Sequence, residues 1–173
     1  YKGLAGDEAF RDEMRHLVLG DAVPADRVAT IQTPGGTGAI RQLYETLKMI
    51  NADSTLWVSD PTWPSHVGMA GHMGLKLAKY RYFDAVTSTV NAAAMMEDIQ
   101  DMQPGDVLLL HGCCHNPTGV NLGPDDWNAL TDFVLDRGVV PFIDIAYQGF
   151  GDGLAEDAAN LRMMAARVPE MLI

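Results

Sequence analysis

Cationic side chains are scarce in this sequence: 12 Lys and Arg stand against 23 Asp and Glu, a formal charge of −11, and the basic residues nowhere form a run. Such a field repels polyanions, so nucleic acid is excluded as an expected partner. Long apolar stretches are missing as well. No uninterrupted run is long enough to span a bilayer and no basic-then-apolar signal opens the chain, which predicts a soluble, cytoplasmic protein with no membrane partner. Cysteine occurs only at Cys113 and Cys114. Neighbours on a strand point to opposite faces, so the pair does not favour a structural disulfide and suits a reducing compartment. Two phosphate-binding signatures are absent too. No Gly-Lys-Ser/Thr exists for a Walker loop, and Arg41 stands where a dinucleotide fingerprint needs its last glycine.

What remains is ordinary globular material: 173 residues, 47% hydrophobic and 20% charged, enough for one domain with a sizeable core. The chain opens at Tyr1 and closes on the apolar Met171-Leu172-Ile173, which reads as a strand just beginning. A fragment of a longer protein, truncated at both ends, is expected. Asp7 caps a helix with Phe10, Met14, Leu17 and Val18 on one face and Gly20 as its stop. Gly35-Gly36-Thr37-Gly38 forms a turn feeding a helix whose Ile40, Leu43, Tyr44, Leu47 and Ile50 recur at helical spacing. A strand at Leu56-Trp57-Val58, a proline-bracketed loop at 61–64, a helix over 65–71 and a strand over 76–82 follow. Asn91 caps a helix carrying Met95, Ile99 and Met102, and the apolar run 107–110 reads as a strand buried on both faces. Pro124 starts a helix that buries Trp127, Leu130 and Val134, and Gly138 closes it before a strand over 139–145, where Pro141 sits poorly. A helix over 158–168 completes the pattern. Alternating strands and helices predict an α/β fold, a three-layer α/β/α sandwich about a mostly parallel sheet, with ligand sites just beyond the carboxyl ends of the strands.

Several segments carry polar chemistry at such positions. Gly35-Gly36-Thr37-Gly38 offers backbone N–H groups, a helix dipole and the Thr37 hydroxyl to a phosphate, although the same residues suit an ordinary glycine turn. Asp144 ends an apolar strand, and a partly buried carboxylate there asks for a partner: a pyridinium nitrogen, a metal, or simply a helix it caps. His111-Gly112-Cys113-Cys114-His115 lacks the spacers of usual metal knuckles, so packing is expected over zinc. The amide in Asn116-Pro117-Thr118-Gly119 serves a ligand oxygen or its own turn. Trp63, between Pro61 and Pro64, presents its indole to a flat ring or packs in the core.

In this order, Gly-Gly-Thr-Gly-Ala, Pro-Thr-Trp-Pro-Ser-His, His-Gly-Cys-Cys-His-Asn-Pro-Thr-Gly and Asp-Ile-Ala-Tyr-Gln-Gly-Phe resemble the aspartate and aromatic aminotransferases, class I of the fold-type-I pyridoxal-phosphate enzymes. The resemblance runs from Tyr1 to Ile173. It implies that 1–173 is a partial cofactor-binding large domain, without the small C-terminal domain, from a homodimer. It further implies pyridoxal 5'-phosphate as cofactor, with an amino acid and a 2-oxo acid as substrates. Carried over by motif, Gly36 and Thr37 hold the cofactor phosphate in a loop shaped by Gly35. Trp63 stacks on the pyridine ring and borders the substrate carboxylate. Asn116 contacts the ring's phenolic oxygen and the substrate, and Tyr147 contacts that same oxygen. Asp144 pairs with the ring nitrogen, which makes Asp144 and Tyr147 the catalytic candidates, with His66 behind Asp144 and Thr62 nearby. Tyr1 loosely matches a tyrosine that reaches across the dimer to the neighbouring phosphate.

The family's Ser-x-Ser-Lys-Asn segment, whose lysine bonds covalently to the cofactor, has no counterpart here. Only Lys2, Lys48, Lys76 and Lys79 occur, none in that context, and the segment 169–173 corresponds to the strand leading toward that lysine. The arginines for the phosphate and the substrate carboxylate are absent as well. The intact protein is therefore expected to transaminate an aspartate-like or aromatic amino acid, while this chain alone binds the cofactor weakly and is inactive. A pyridoxal-phosphate lyase of the same fold and a non-catalytic regulatory module are the alternatives.

Overall fold

The computed structural model describes residues 3–173, so the expectation placed on Tyr1 lies outside it. Helix α1 (Glu8–Leu19) starts where the Asp7 carboxylate accepts the Phe10 N–H at 3.0 Å. Helix α2 (Gly35–Ile50), strand β1 (Thr55–Asp60), helix α3 (Pro64–His72) and strand β2 (Lys76–Arg81) come next. A two-stranded antiparallel piece, β3 (Phe83–Asp84) with β4 (Thr89–Val90), precedes α4 (Ala92–Asp98), which Asn91 caps through the Ala94 N–H. Strand β5 (Val107–His111), helix α5 (Pro124–Arg137), strand β6 (Val140–Asp144) and helix α6 (Glu156–Arg167) complete the order. Helix α5 stops at Gly138, whose φ of 68° is the left-handed conformation that glycine adopts without steric cost.

The main sheet is parallel throughout, in the order β2-β1-β5-β6. Both faces are buried at its centre, and β5 shows how. Its Val107 and Leu109 join Ile40, Tyr44 and Leu47 of α2 and Ala70 of α3 on one face. Its Leu108 and Leu110 join Met95, Trp127, Leu130 and Leu161 of α4, α5 and α6 on the other. Period-two alternation thus feeds two apolar layers, which gives the predicted three-layer α/β/α sandwich. Each such buried large side chain contributes about 1.5–3 kcal/mol by leaving water. Because β1 has β2 on one side and β5 on the other, chain direction across the sheet reverses there, and the crevice at the carboxyl ends of β1 and β5 is where α/β sheets hold ligands.

Four expectations change. The glycines at 35–38 are not a loop leading into the helix but its first turn. The apolar face of α1 is largely uncovered, with Phe10 48% and Leu17 37% exposed and Leu19 as the helix's buried residue. The β3–β4 pair, of two residues per strand, is too short to leave a periodic signal. Pro141 belongs to β6 after all. Val140 donates to Asp106 O in the β5 direction, so the even-numbered residues bond inward and the odd-numbered ones outward. Pro141 therefore lacks its N–H only on the outer side, where its carbonyl instead accepts from Leu172 at 2.9 Å. Among the described residues, no helix is long and apolar enough to cross a membrane.

Candidate active site

Asp144 closes β6 at the carboxyl end of the sheet, with its side chain 22% exposed. It lines a cavity of about 230 Å³ together with Gly36, Thr37, Trp63, Asn116 and Tyr147. Four segments far apart in sequence thus converge on one hollow: the start of α2, the β1–α3 loop, the β5–α5 loop and the β6–α6 loop. Gly35 opens α2 at a φ of 72° without lining the cavity, and His66 lies behind the wall, fully buried on α3.

The start of α2 is built to meet an anion. Its cap residue, Pro34, offers no side-chain hydrogen bond, so the first-turn N–H groups have no intrahelical partner and sit at the positive end of the helix dipole. A Cβ built on Gly36 would meet nothing within 4 Å, which leaves the approach to those amides open. Thr37 adds a hydroxyl at the same end of the cavity.

Behind Asp144 runs a chain of hydrogen bonds whose direction is fixed at both ends. The Asn116 N–H donates to His111 Nδ1 at 3.3 Å, so the neutral His111 ring carries its proton on Nε2. That nitrogen lies 3.3 Å from Thr62 Oγ1 and donates to it, which leaves the Thr62 hydroxyl proton for His66 Nδ1 at 2.9 Å. His66 Nε2–H then donates to Asp144 Oδ2 at 2.9 Å. One carboxylate oxygen is thereby held as an acceptor, while Oδ1 has no protein partner among the described residues. Trp63 stands edge-on to His66 with ring centroids 5.3 Å apart, so the indole is fixed by the same packing.

A second buried histidine braces the neighbouring loop. His115 is 2% exposed, stacks on Tyr82 at 3.9 Å, and uses its ring nitrogens on Ser59 Oγ at 3.0 Å and Thr118 Oγ1 at 2.9 Å. Burial, with the neighbouring His115 and His66, pulls the His111 pKa down to about 3, and burial pulls that of His115 down to about 4. Folded-state values below the ordinary 6.5 mean that the unfolded chain takes up protons first on acidification. This stabilisation is present above about pH 6.5 and is lost as pH falls toward 4. For His115 alone it amounts to about 3 kcal/mol. Denaturant titrations at pH 7 and pH 4.5 are expected to show this loss, and a flat profile between them would contradict the burial.

The ring nitrogens of His111 and His115 lie within hydrogen-bond distance of protein partners, Asn116 N–H and Thr62 Oγ1 for the first, Ser59 Oγ and Thr118 Oγ1 for the second. Sequence reasoning missed Ser59 and Asp157. The Asp157 carboxylate accepts the N–H groups of Gly149 at 2.8 Å, Gly151 at 3.0 Å and Asp152 at 2.8 Å, and so clamps the loop that carries Tyr147. The signal was a glycine-rich stretch with amides to satisfy just before an acidic helix start.

The positive end of a helix and a carboxylate therefore line one cavity. That donor set fits a flat ring bearing a phosphate and a protonated nitrogen. Comparison with known proteins agrees. The family described as aminotransferase class I and II matches residues 1–173. The aromatic-amino-acid aminotransferase of Paracoccus denitrificans is 50% identical over 173 residues, covering 100% of this chain and 44% of that protein. The aspartate aminotransferase of Pseudomonas aeruginosa is 41% identical over 168 residues, covering 95% of this chain and 42% of that protein. The solved structure of an aromatic-amino-acid aminotransferase from Burkholderia pseudomallei, covalently bound to pyridoxal phosphate, superposes with a TM-score of 0.92 at 40% identity, over 96% of this chain and 42% of that one. The chain thus spans less than half the length of the relatives it matches.

Proposed function

The chain belongs to the class I and II aminotransferase family, and from that premise we propose that it is part of a pyridoxal-phosphate enzyme exchanging an amino group between an aspartate-like or aromatic amino acid and a 2-oxo acid. Residues 1–173 are read as part of its cofactor-binding large domain. The proposal includes a cytoplasmic homodimer, with Tyr1 serving the neighbouring subunit, on the strength of family membership alone. The observation that carries the reading is Asp144, a carboxylate with one oxygen held by His66 and the other, among the described residues, without a protein partner at the wall of the cavity.

Bound in this cavity, pyridoxal phosphate supplies an electron sink for the pair left behind when a substrate C–H bond breaks. The residues do the rest. The amides of Gly36 and Thr37 and the Thr37 hydroxyl hold the phosphate, with Gly35 shaping the turn. Asp144 keeps a proton on the ring nitrogen, and the His66–Thr62–His111 chain holds Asp144 in place, since each donor along it points toward the carboxylate. Trp63 covers the ring and borders the substrate carboxylate. The Asn116 amide and the Tyr147 hydroxyl donate to the ring's phenolic oxygen.

Titration of these 173 residues with pyridoxal 5'-phosphate tests the site directly. Saturable, weak binding competed by inorganic phosphate and not by ATP is the expected result; no saturable binding refutes the assignment. In the full-length polypeptide, turnover should require a 2-oxo acid acceptor. Product release without one would favour a lyase.

A further inference from the structure

Cys113 and Cys114 lie beyond the end of β5, outside any strand, so the alternation that would separate neighbouring side chains does not apply. Cys114 has a left-handed backbone, φ 46°, uncommon for a residue that carries a Cβ. With the chain turned there, the two sulfurs and an Asp157 carboxylate oxygen lie within 4.8 Å of one another. Both thiols are free. Cys113 is buried and lines the same cavity as Asn116 and Tyr147, while Cys114 is half-buried with its sulfur 4.0 Å from the Tyr147 carbonyl oxygen.

The trio is a poor metal site. Both Asp157 oxygens are occupied by backbone amides. Burial, with Cys114 and Asp157 close by, pushes the Cys113 thiol up to about 12, whereas a metal requires thiolates. Two adjacent thiols, one of them reachable, are suited instead to two-electron oxidation.

We propose that Cys113 and Cys114 form a reversible redox pair in the wall of the cavity, bridged to a vicinal disulfide by peroxide. The Cys114 sulfur, as thiolate, attacks one oxygen of hydrogen peroxide; the O–O bond breaks, hydroxide leaves and is protonated to water, and Cys114 becomes a sulfenic acid. Cys113 then attacks the Cys114 sulfur and displaces hydroxide, which departs as water with the Cys113 proton. Two thiols lose two electrons and two protons, and one peroxide becomes two waters. Adjacent Cα atoms stand about 3.8 Å apart, short of the roughly 4.4–6.8 Å that disulfides prefer. The ring is strained and readily reduced, which makes it a switch and not a staple. Bridging draws Cys114 away from the Tyr147 carbonyl and shifts Cys113 within the wall that Asn116 and Tyr147 share. This coupling to cofactor binding rests on the reading of the cavity given above; the bond itself does not.

The test treats the full-length polypeptide with hydrogen peroxide, blocks remaining thiols with iodoacetamide, and weighs the tryptic peptide 82–137, which contains both cysteines. A loss of about 2 Da, unblocked and reversed by dithiothreitol, is expected in the native protein and absent from C113S and C114S. Two blocked cysteines, or sulfinic acid in place of the bridge, overturn the proposal. Pyridoxal-phosphate affinity is expected to fall about tenfold on bridging, the scale of one lost hydrogen bond, while peroxide leaves the affinity of each single variant where it was. A bridge with unchanged affinity overturns the coupling. Failure of the reduced protein to bind the cofactor overturns the cavity reading instead, and the mass measurement still decides the bond.

Discussion

Asp144→Ala in the full-length polypeptide is expected to lower kcat for transamination by about 10³-fold or more while the protein still folds. Among the described residues that line the cavity Asp144 is the only carboxylate, so no other of them can hold a proton on a ring nitrogen by charge. Without that charge the ring is a weaker acceptor at the moment the substrate C–H bond breaks, and the loss falls on the chemical step. Folding should survive because the side chain is 22% exposed and its described partner is His66 alone. Leaving the buried His66 Nε2–H unpaired costs about 1–3 kcal/mol, enough to lower the unfolding midpoint without abolishing the transition. Asp144→Asn keeps the shape and one acceptor oxygen but not the charge, and should be nearly as inactive. Steady-state kinetics with thermal unfolding on the same samples separate the effects. Near-normal kcat in either variant would remove Asp144 from the role given to it.

These 173 residues alone are expected to show no transamination at all, even with the cofactor added. The reaction needs an amine beside the substrate carbon to carry the proton, and no described lysine lines the cavity. Lys48 Nζ donates to the Met73 carbonyl at 2.6 Å, Lys76 pairs with Asp53 at 2.9 Å, and Lys79 pairs with Asp60 at 3.2 Å. Lys2 stands in no matching sequence context. Borohydride treatment of the chain with pyridoxal phosphate should accordingly fix no label in the cavity. The decisive measurement is a long incubation with an amino acid donor and a 2-oxo acid acceptor, in which any turnover above a no-protein control sinks the prediction.

Much of the fold is legible in the amino-acid sequence. Strand and helix identity follows from periodicity because the central strand β5 is buried on both faces, as the unbroken run at 107–110 announces, and because Asp7, Asn91 and Gly138 mark helix ends by local hydrogen bonding. The cavity residues are legible only through four motifs in a fixed order, since Gly36, Asn116 and Asp144 each have an ordinary local explanation. What stays hidden depends on distance in space. The bonds from Asn116 N–H through His111, Thr62 and His66 join residues up to 78 positions apart, and no local pattern reports them. The nearness of the two sulfurs escapes the sequence because one left-handed residue, Cys114, cancels the alternation assumed for a strand. The uncovered face of α1 escapes it because amphipathic spacing says that a stripe is apolar, not what covers it.

Pro141 has a consequence for how the open edge of the sheet can be used. An incoming strand finds one acceptor without its companion donor at that point. It must arrive, as Leu172 does, giving its N–H to the Pro141 carbonyl and taking the Ile143 N–H at 2.8 Å. A neighbour slipped to demand a donor from residue 141 forfeits a hydrogen bond, as does an unrelated strand probing the edge at random. The proline thus works as a key cut into the border of the sheet, admitting one alignment and turning away the rest.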